Sequence, residues 1–362
     1  MERRTIDAYE RGARGYVEHR KAYAPDDAGA FATEVAPGAV RVDLGAGPGH
    51  YTGMLGRPVV ALDAALAMLR EVPDRAPGAL RVQADLEALP FRASALGGAW
   101  ASKCYQHLED ERLPGALADL HRTLAVGSAF ALTVFAGEGV VRTGDEDQFP
   151  DRFFTLWDPA HLVDVVEGAG FTVEDVRVEE ARPGWPPLRM QARRARTLAD
   201  RVGPGMRVLM CGLNPSLYAA DAGVGFARPG NRFWPAALAS GLVTRDRDPD
   251  HALAAHRVGF TDVVKRATVG ADELTAEELR AGLGRVERLC AWLRPGALCL
   301  LGLAGWRAAV DRRAVAGVQE RRLGGVPVYV MPNPSGRNAH TTPAGLVDHL
   351  RAAMALAGPA GA

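Results

Sequence analysis

The chain reads as two successive alternations of short apolar runs with helix-like stretches, a pattern that leaves few folds open. In the first half the runs fall at 40–45, 59–63, 80–85, 97–102 and 128–135, with helix-like stretches at 64–71 and 113–124. A helix at 161–169 and a strand at 171–178 follow, and the Gly/Pro/Trp turn at 182–187 reads as joining two antiparallel final strands. The second half repeats the alternation, with strands near 206–211, 257–261, 297–301 and 326–331 and helices near 231–240, 275–293 and 343–356. Runs this short are buried strands, and strand–helix alternation at this spacing implies parallel strands joined by crossover helices. The expected fold class is α/β, as two three-layer α/β/α domains: residues 1–196, a basic linker at 197–205, and residues 206–358. A length of 362 residues accommodates two such cores. Residues 359–362 read as a frayed tail.

Composition narrows the function classes. The apolar stretch near 296–306 falls short of the roughly 18 residues a membrane span needs, and residues 1–30 carry no apolar signal-peptide core. The four cysteines (Cys104, Cys211, Cys290 and Cys299) are scattered without a C-x-x-C pair, which argues against a metal site and for reduced thiols in the cytoplasm. The zero net charge conceals an asymmetry. Residues 201–362 hold 20 basic against 13 acidic side chains and residues 1–200 hold 23 against 30. A basic second half points to a nucleic-acid partner for that half alone.

Asp43-Leu44-Gly45-Ala46-Gly47-Pro48-Gly49 follows the first strand. Glycines there let the backbone turn sharply and pass close to a ligand. Asp63 ends the second strand, placed to accept hydrogen bonds from ribose hydroxyls, and Asp85 ends the third beside Leu86. The set resembles the class I S-adenosylmethionine-dependent methyltransferases over residues 5–180. The competing reading is a dinucleotide-binding Rossmann domain, which also wants an acidic residue about 20 positions on. His50 in place of a third glycine, and Asp85 with the L-x-x-L-P-F stretch after it, favour the methyl donor. The resemblance implies S-adenosylmethionine as cofactor, with Tyr16, Asp43, Gly45, Gly47, Gly49, Asp63, Asp85 and Leu86 around it. Tyr16, Tyr105 and His107 are candidates to line the site of a methyl acceptor the sequence does not name, and His107 alternatively caps a helix. A docking module that keeps only the fold is the other reading of this half.

The second half carries three motifs in order: Gly212-Leu213-Asn214-Pro215-Ser216, Phe226 to Trp234 (FARPGNRFW) and Met331 to Asn338 (MPNPSGRN). Together they resemble the mismatch-specific uracil/thymine-DNA glycosylases over residues 206–356. The resemblance implies cleavage of the base–deoxyribose bond in double-stranded DNA bearing a mismatched or damaged base, with no metal or organic cofactor. It assigns Asn214 to orienting the attacking water and Phe226 to stacking on the flipped base, with Gly212, Leu213 and Asn231 in the base pocket. Asn333, Ser335, Gly336, Arg337 and Asn338 become the loop that enters the duplex, with Arg337 the wedge. Asp262, in Gly259-Phe260-Thr261-Asp262, is either a second water-activating group or a helix cap. Phe233 and Trp234 read as core. Ser216 stands where the family often has glycine, and its Cβ narrows the expected pocket.

Overall fold

The computed structural model describes residues 2–20, 22, 25–179, 184–336, 338 and 340–358. Arg337, the start of the 182–187 turn and the 359–362 tail lie outside these residues. The chain forms two compact units, residues 1–167 with 171–195, and residues 168–170 with 196–362.

The first unit is built on β1 (Arg41–Leu44), β2 (Val59–Asp63), β3 (Leu80–Gln83), β4 (Leu96–Ser102) and β5 (Leu124–Ala136), followed by β6 (Val140–Arg142), β7 (Phe153–Trp157), β8 (Phe171–Val178) and β9 (Pro187–Arg194). Strands β1 to β5 pair in parallel in the order β3-β2-β1-β4-β5, and all four residues of β1 are buried, as a sheet covered on both faces requires. Strand β9 runs antiparallel to both β5 and β8, so the two antiparallel final strands are present. That inserted strand departs from the 3-2-1-4-5-6 order of dinucleotide-binding sheets. The β6–β7 hairpin, which joins the end of β5 through Phe135 and Ala136, had no clear period in the sequence. The amphipathic N-terminal helix Arg3–His19 is a further element beyond the expected set.

The second unit contains β10 (Val208–Gly212), β11 (Val258–Asp262), β12 (Ala297–Leu301), β13 (Gly317–Val318) and β14 (Val328–Met331), in the order β11-β10-β12-β14-β13. All pair in parallel except the short β13. Alternation along the strands divides the core in two. Leu209, Cys211, Leu298, Leu300, Val328 and Val330 face the helix Ala276–Leu293. Val208, Met210, Cys299, Leu301 and Met331 face the helices Phe233–Ser240 and Pro343–Leu356. The helix at 276–293 begins with a reciprocal capping box between Thr275 and Glu278, which satisfies two otherwise orphaned N–H groups.

The stretch 197–205 is not a linker. Arg201 exchanges backbone hydrogen bonds with Phe260 of β11 (2.8 and 2.9 Å), and Thr197 donates to the Lys265 carbonyl. Asp200 is buried with one carboxylate oxygen taking Lys265 Nζ (2.8 Å) and Thr261 Oγ1 (2.7 Å) and the other taking Arg285 (2.8 Å). A buried carboxylate must be paired, and its partners all lie in the second unit. Burial alone would raise its pKa; the charges of Arg285 and Lys265 hold it below the ordinary value.

Among the described residues no helix is long and apolar enough to cross a membrane, and all four cysteines are free and buried. In the second unit the helix Ala276–Leu293 passes close to the residue after β11 at Gly282, where a Cβ would sit 2.0 Å from the Val263 carbonyl oxygen. Alanine improves helix propensity by about 1 kcal/mol, yet here the backbone it strikes cannot move cheaply. Gly282→Ala is expected to destabilise the second unit by about 1–3 kcal/mol net, read as a lower urea midpoint; a rise would show that the helix can shift away from β11.

Candidate functional site

Each unit gathers its polar groups where connections leave neighbouring parallel strands in opposite directions, the position at which open α/β sheets form their crevices. In the first unit this is the carboxyl end of β1. Gly45, Gly47 and Gly49 have φ of +60°, +53° and +84°, conformations that a side chain would strain. A Cβ on Gly45 would lie 2.3 Å from Cβ of Cys104, whereas the space beside Gly47 is open. Asp63 accepts the N–H of Gly47 on one oxygen and that of Ala65 on the other, both at 2.8 Å. Each oxygen retains acceptor capacity. Asp85 accepts the Glu87 N–H at 3.1 Å.

Other residues expected around the donor or the acceptor have partners within the unit. Asp43 is only 2% exposed and accepts the Thr52 hydroxyl at 2.6 Å. It braces the loop from beneath, and burial pushes its carboxyl up to about 7. Leu86 and Tyr105 are buried in the core. Tyr16 is half-buried, its ring 6.1 Å from that of His50 and 5.8 Å from that of Tyr9, and burial raises its phenol. His107 caps no helix. Its Nδ1 donates to the Phe153 carbonyl (2.6 Å), so Nε2 accepts from the Tyr9 hydroxyl (2.9 Å). Burial drives its pKa down to about 4, leaving a neutral imidazole that ties the N-terminal helix to β7.

In the second unit, a cavity of about 420 Å³ opens beyond β10 and is lined by Asn214, Phe226, Asn231, Asp262, Thr268 and Ser335 among others. Asn214 is held in one orientation. Its amide nitrogen donates to the Arg266 carbonyl (3.0 Å) and to Thr268 Oγ1 (2.7 Å), while the single Thr268 hydroxyl proton goes to the Gly270 carbonyl (2.8 Å). Both partners therefore demand a donor from Asn214, which assigns the amide and leaves Oδ1 as its acceptor. Thr268 carried no motif signal; only the fold brings it to Asn214.

Gly212 and Asp262 are register partners on β10 and β11. A Cβ on Gly212 would lie 2.2 Å from Oδ1 of Asp262, so the glycine is what makes room for the carboxyl, and the Phe226 ring stands 3.5 Å from the same point at ordinary contact distance. Asp262 ends β11 and caps no helix, the next helical turn being Ala271–Glu273. Burial lifts its carboxyl to about 6, against the pull of Lys265, and Arg285 holds its backbone carbonyl (2.8 Å). Phe226 adopts φ +58° and lies 4.4 Å, ring to ring, from Phe233. Phe233 and Trp234 are core. Leu213 lines the cavity and fills the space over Gly302 and Gly305. Asn231 accepts the Phe233 N–H at 2.9 Å, which leaves its amide NH₂ as a donor. Ser216 spends its hydroxyl capping the helix Leu217–Ala222 (3.1 Å from Ala219 N).

The loop expected to enter DNA is organised from within. Asn333 Oδ1 accepts the Ser335 N–H (2.9 Å), and Asn338 donates to the Asn333 carbonyl (2.9 Å) and accepts from His340 N–H (3.1 Å). Asn338 thus shapes the loop with both polar ends of its amide. Gly336 passes so close to Gly230 that a Cβ would sit 2.7 Å from its carbonyl. Arg337, the expected wedge, lies outside the described residues. The clamp on this loop is a residue the motifs did not single out: Arg232 donates to the carbonyls of Ser335 (3.2 Å), Asn338 (2.7 Å) and Thr341 (2.6 Å). The one available signal was an arginine among core aromatics in G-N-R-F-W.

Residues 42–132 match the family described as "Methyltransferase domain", and residues 199–354 match the "Uracil DNA glycosylase superfamily". The chain is a fusion of a methyltransferase domain with a domain of the uracil DNA glycosylase superfamily. Among solved structures, it is similar to Burkholderia thailandensis 1,6-didemethyltoxoflavin-N1-methyltransferase with bound S-adenosylhomocysteine, at 23% identity over 52% of this chain and 85% of that one, TM-score 0.42. It is also similar to the DhpI–SAH complex (22% identity, 53% and 96% covered, TM-score 0.43). A Methanosarcina mazei S-adenosylmethionine-dependent methyltransferase matches at 16% identity, with 49% and 99% covered and TM-score 0.42.

Three backbone carbonyls on one guanidinium make the 333–341 loop depend on Arg232. Arg232→Ala is expected to speed amide hydrogen exchange across this loop and to weaken duplex DNA binding roughly tenfold. Arg232→Lys should not restore it, because one ammonium cannot reach three acceptors in a planar fork. Unchanged exchange in the alanine variant would remove Arg232 as the clamp.

Proposed function

We propose that the second unit excises uracil paired wrongly with guanine from double-stranded DNA, by hydrolysing the bond between base and deoxyribose. The observation that carries this reading is the fixed orientation of Asn214, whose Oδ1 is kept as an acceptor beside Phe226 and Asp262 in one cavity. An amide oxygen orients and polarises a water but takes its proton poorly. Asp262 supplies the stronger acceptor once ionised. Phe226 offers a π-face worth roughly 1–3 kcal/mol of stacking to any base, and the Asn231 NH₂ suits a base carbonyl. Extrusion costs less for a mispaired base, which favours such lesions. The loop at 333–338 meets the duplex, with Asn333, Ser335 and Gly336 presented by the Arg232 clamp.

For the first unit we infer an active methyltransferase that uses S-adenosylmethionine. Gly47 with its open side, Asp63 and Asp85 fit an adenosyl group: the glycine loop admits close approach, and the two carboxylates offer acceptors to ribose hydroxyls and an exocyclic amine. When bound, the donor supplies an electrophilic methyl on sulfur. The chain's own part is to hold and orient, since alignment with a nucleophilic acceptor contributes most of what such a transfer needs. Donor binding measured by calorimetry separates this reading from a docking module, which would bind none. Asp63→Ala should lower donor affinity by at least about tenfold through lost charge-assisted hydrogen bonds and leave uracil excision intact. Unaltered affinity in a folded variant would displace the ribose site from Asp63.

The glycosylase reading is tested by single-turnover cleavage of a G·U duplex across pH, with binding measured in parallel at matched salt. Asn214→Ala should lose on the order of 10²–10⁴ in rate while keeping duplex binding. Asp262 must be ionised to accept a proton, so the wild-type rate should rise through about pH 6 and level above it. Asp262→Asn should abolish that acid limb as well as lowering the plateau. An Asn214→Ala variant with near-normal cleavage would overturn the assignment of the water to Asn214.

A further inference from the structure

A second loop borders the base cavity, and no motif drew attention to it. Residues 266–270 run beside the Asn214 loop: Thr268 N–H donates to the Pro215 carbonyl (3.1 Å) and Leu217 N–H to the Thr268 carbonyl (3.1 Å). Asn214 itself is tied to this segment through Arg266 and Thr268. On its far side the N–H groups of Val269 and Gly270 both reach Oε1 of Glu273 at 3.0 Å. The Arg266 guanidinium is held by Glu278 (2.7 and 3.1 Å). The tip is therefore rigid on both flanks, and what it holds out is apolar. Val269 is 64% exposed and lines the same cavity as Phe226 and Asn214. Ser335 and Asn338 of the 333–338 loop line that cavity too.

A single exposed valine on a protein surface calls for no explanation. This one differs in sitting on a segment held by two backbone–backbone hydrogen bonds at Thr268 and by the bonds of the Val269 and Gly270 N–H groups to the Glu273 carboxylate, at the mouth of a site for a flipped base. Resting on the glycosylase reading, we propose that Val269 is a second duplex-entering side chain, packing against the base pair that neighbours the vacated position. Enzymes that extrude a base must fill or prop the stack it leaves, and apolar side chains do this in the minor groove. The chemistry at the tip agrees with a base face rather than a phosphate as the occupant. Asp272, also on the cavity rim and exposed, would repel phosphate, and the one cation of the segment, Arg266, is committed to Glu278. Because the segment also fixes the Asn214 amide, a duplex seated on Val269 bears directly on the strut that orients the catalytic side chain.

The test compares excision from a G·U duplex with excision from the same uracil-bearing single strand, using full-length protein under single-turnover conditions. Val269→Ser is expected to lower the duplex-to-single-strand rate ratio about tenfold, and Val269→Leu to keep it within about twofold of wild type. With a non-cleavable 2′-fluoro-uridine duplex carrying 2-aminopurine beside the lesion, Val269→Ser should reduce the fluorescence rise that reports unstacking. A Val269→Ser variant with the wild-type ratio and the wild-type fluorescence rise overturns the wedge while leaving the glycosylase reading standing. A wild-type protein that cleaves neither substrate overturns both.

Discussion

The parallel pairing of β10 with β11, which sets Gly212 opposite Asp262, is the constraint on which the second unit's site depends. Only a residue without Cβ leaves the 2.2 Å that the Asp262 carboxylate occupies. The Phe226 ring stands at ordinary contact distance from the same strand end. Val263 and Val264 then donate backbone hydrogen bonds to Gly212 and Leu213 (2.9 Å each), so the chain leaving β11 is still locked to the chain leaving β10. That lock carries the 266–268 segment to Asn214. Acid, amide and aromatic are thus placed by backbone pairing, with little left to side-chain freedom.

Beneath this wall lies a group of charges that would be costly if any partner were lost. Asp200, Lys265 and Arg285 meet around Thr261 with every contact at 3.0 Å or less. Removing one member leaves a buried charge uncompensated. Arg285 also holds the Asp262 carbonyl, so the network that closes the core reaches the residue proposed to accept a proton. Burial pushes both carboxyls up; Asp262 stays raised, whereas the direct contacts of Arg285 and Lys265 hold Asp200 below its ordinary value.

The two units use the same position on the sheet in different ways. In the first, the loop after β1 is shaped by positive-φ glycines and by carboxylates that grip backbone N–H groups, which suits a ligand read through its hydroxyls and amines. In the second, the loop after β10 presents side chains, which suits chemistry at one bond of a flat base. Both arrangements follow from parallel strands whose connections diverge and leave a crevice at their carboxyl ends.

The alternation of apolar runs with helical stretches determined the fold class, the two domains and the central parallel strands such as β1, β10 and β12, because burial on both faces leaves a continuous apolar signature; the short β6, β7 and β13 left none. The glycine loop falls after β1, and residues of the G-L-N-P-S, F-A-R-P-G-N-R-F-W and M-P-N-P-S-G-R-N segments meet around one cavity beyond β10, since turn residues in such segments mark where strands end. Tertiary structure decided what required distant partners. It turned Asp43 and Leu86 inward, made Asn338 a strut of its own loop, and drew 197–205 into the second core through Asp200. It also supplied Arg232, Thr268 and Val269, whose roles lie in what they touch across 100, 50 or more positions or at a cavity's edge. A sequence pattern records local conformation and burial; which carbonyl a guanidinium reaches is settled only when the chain has packed.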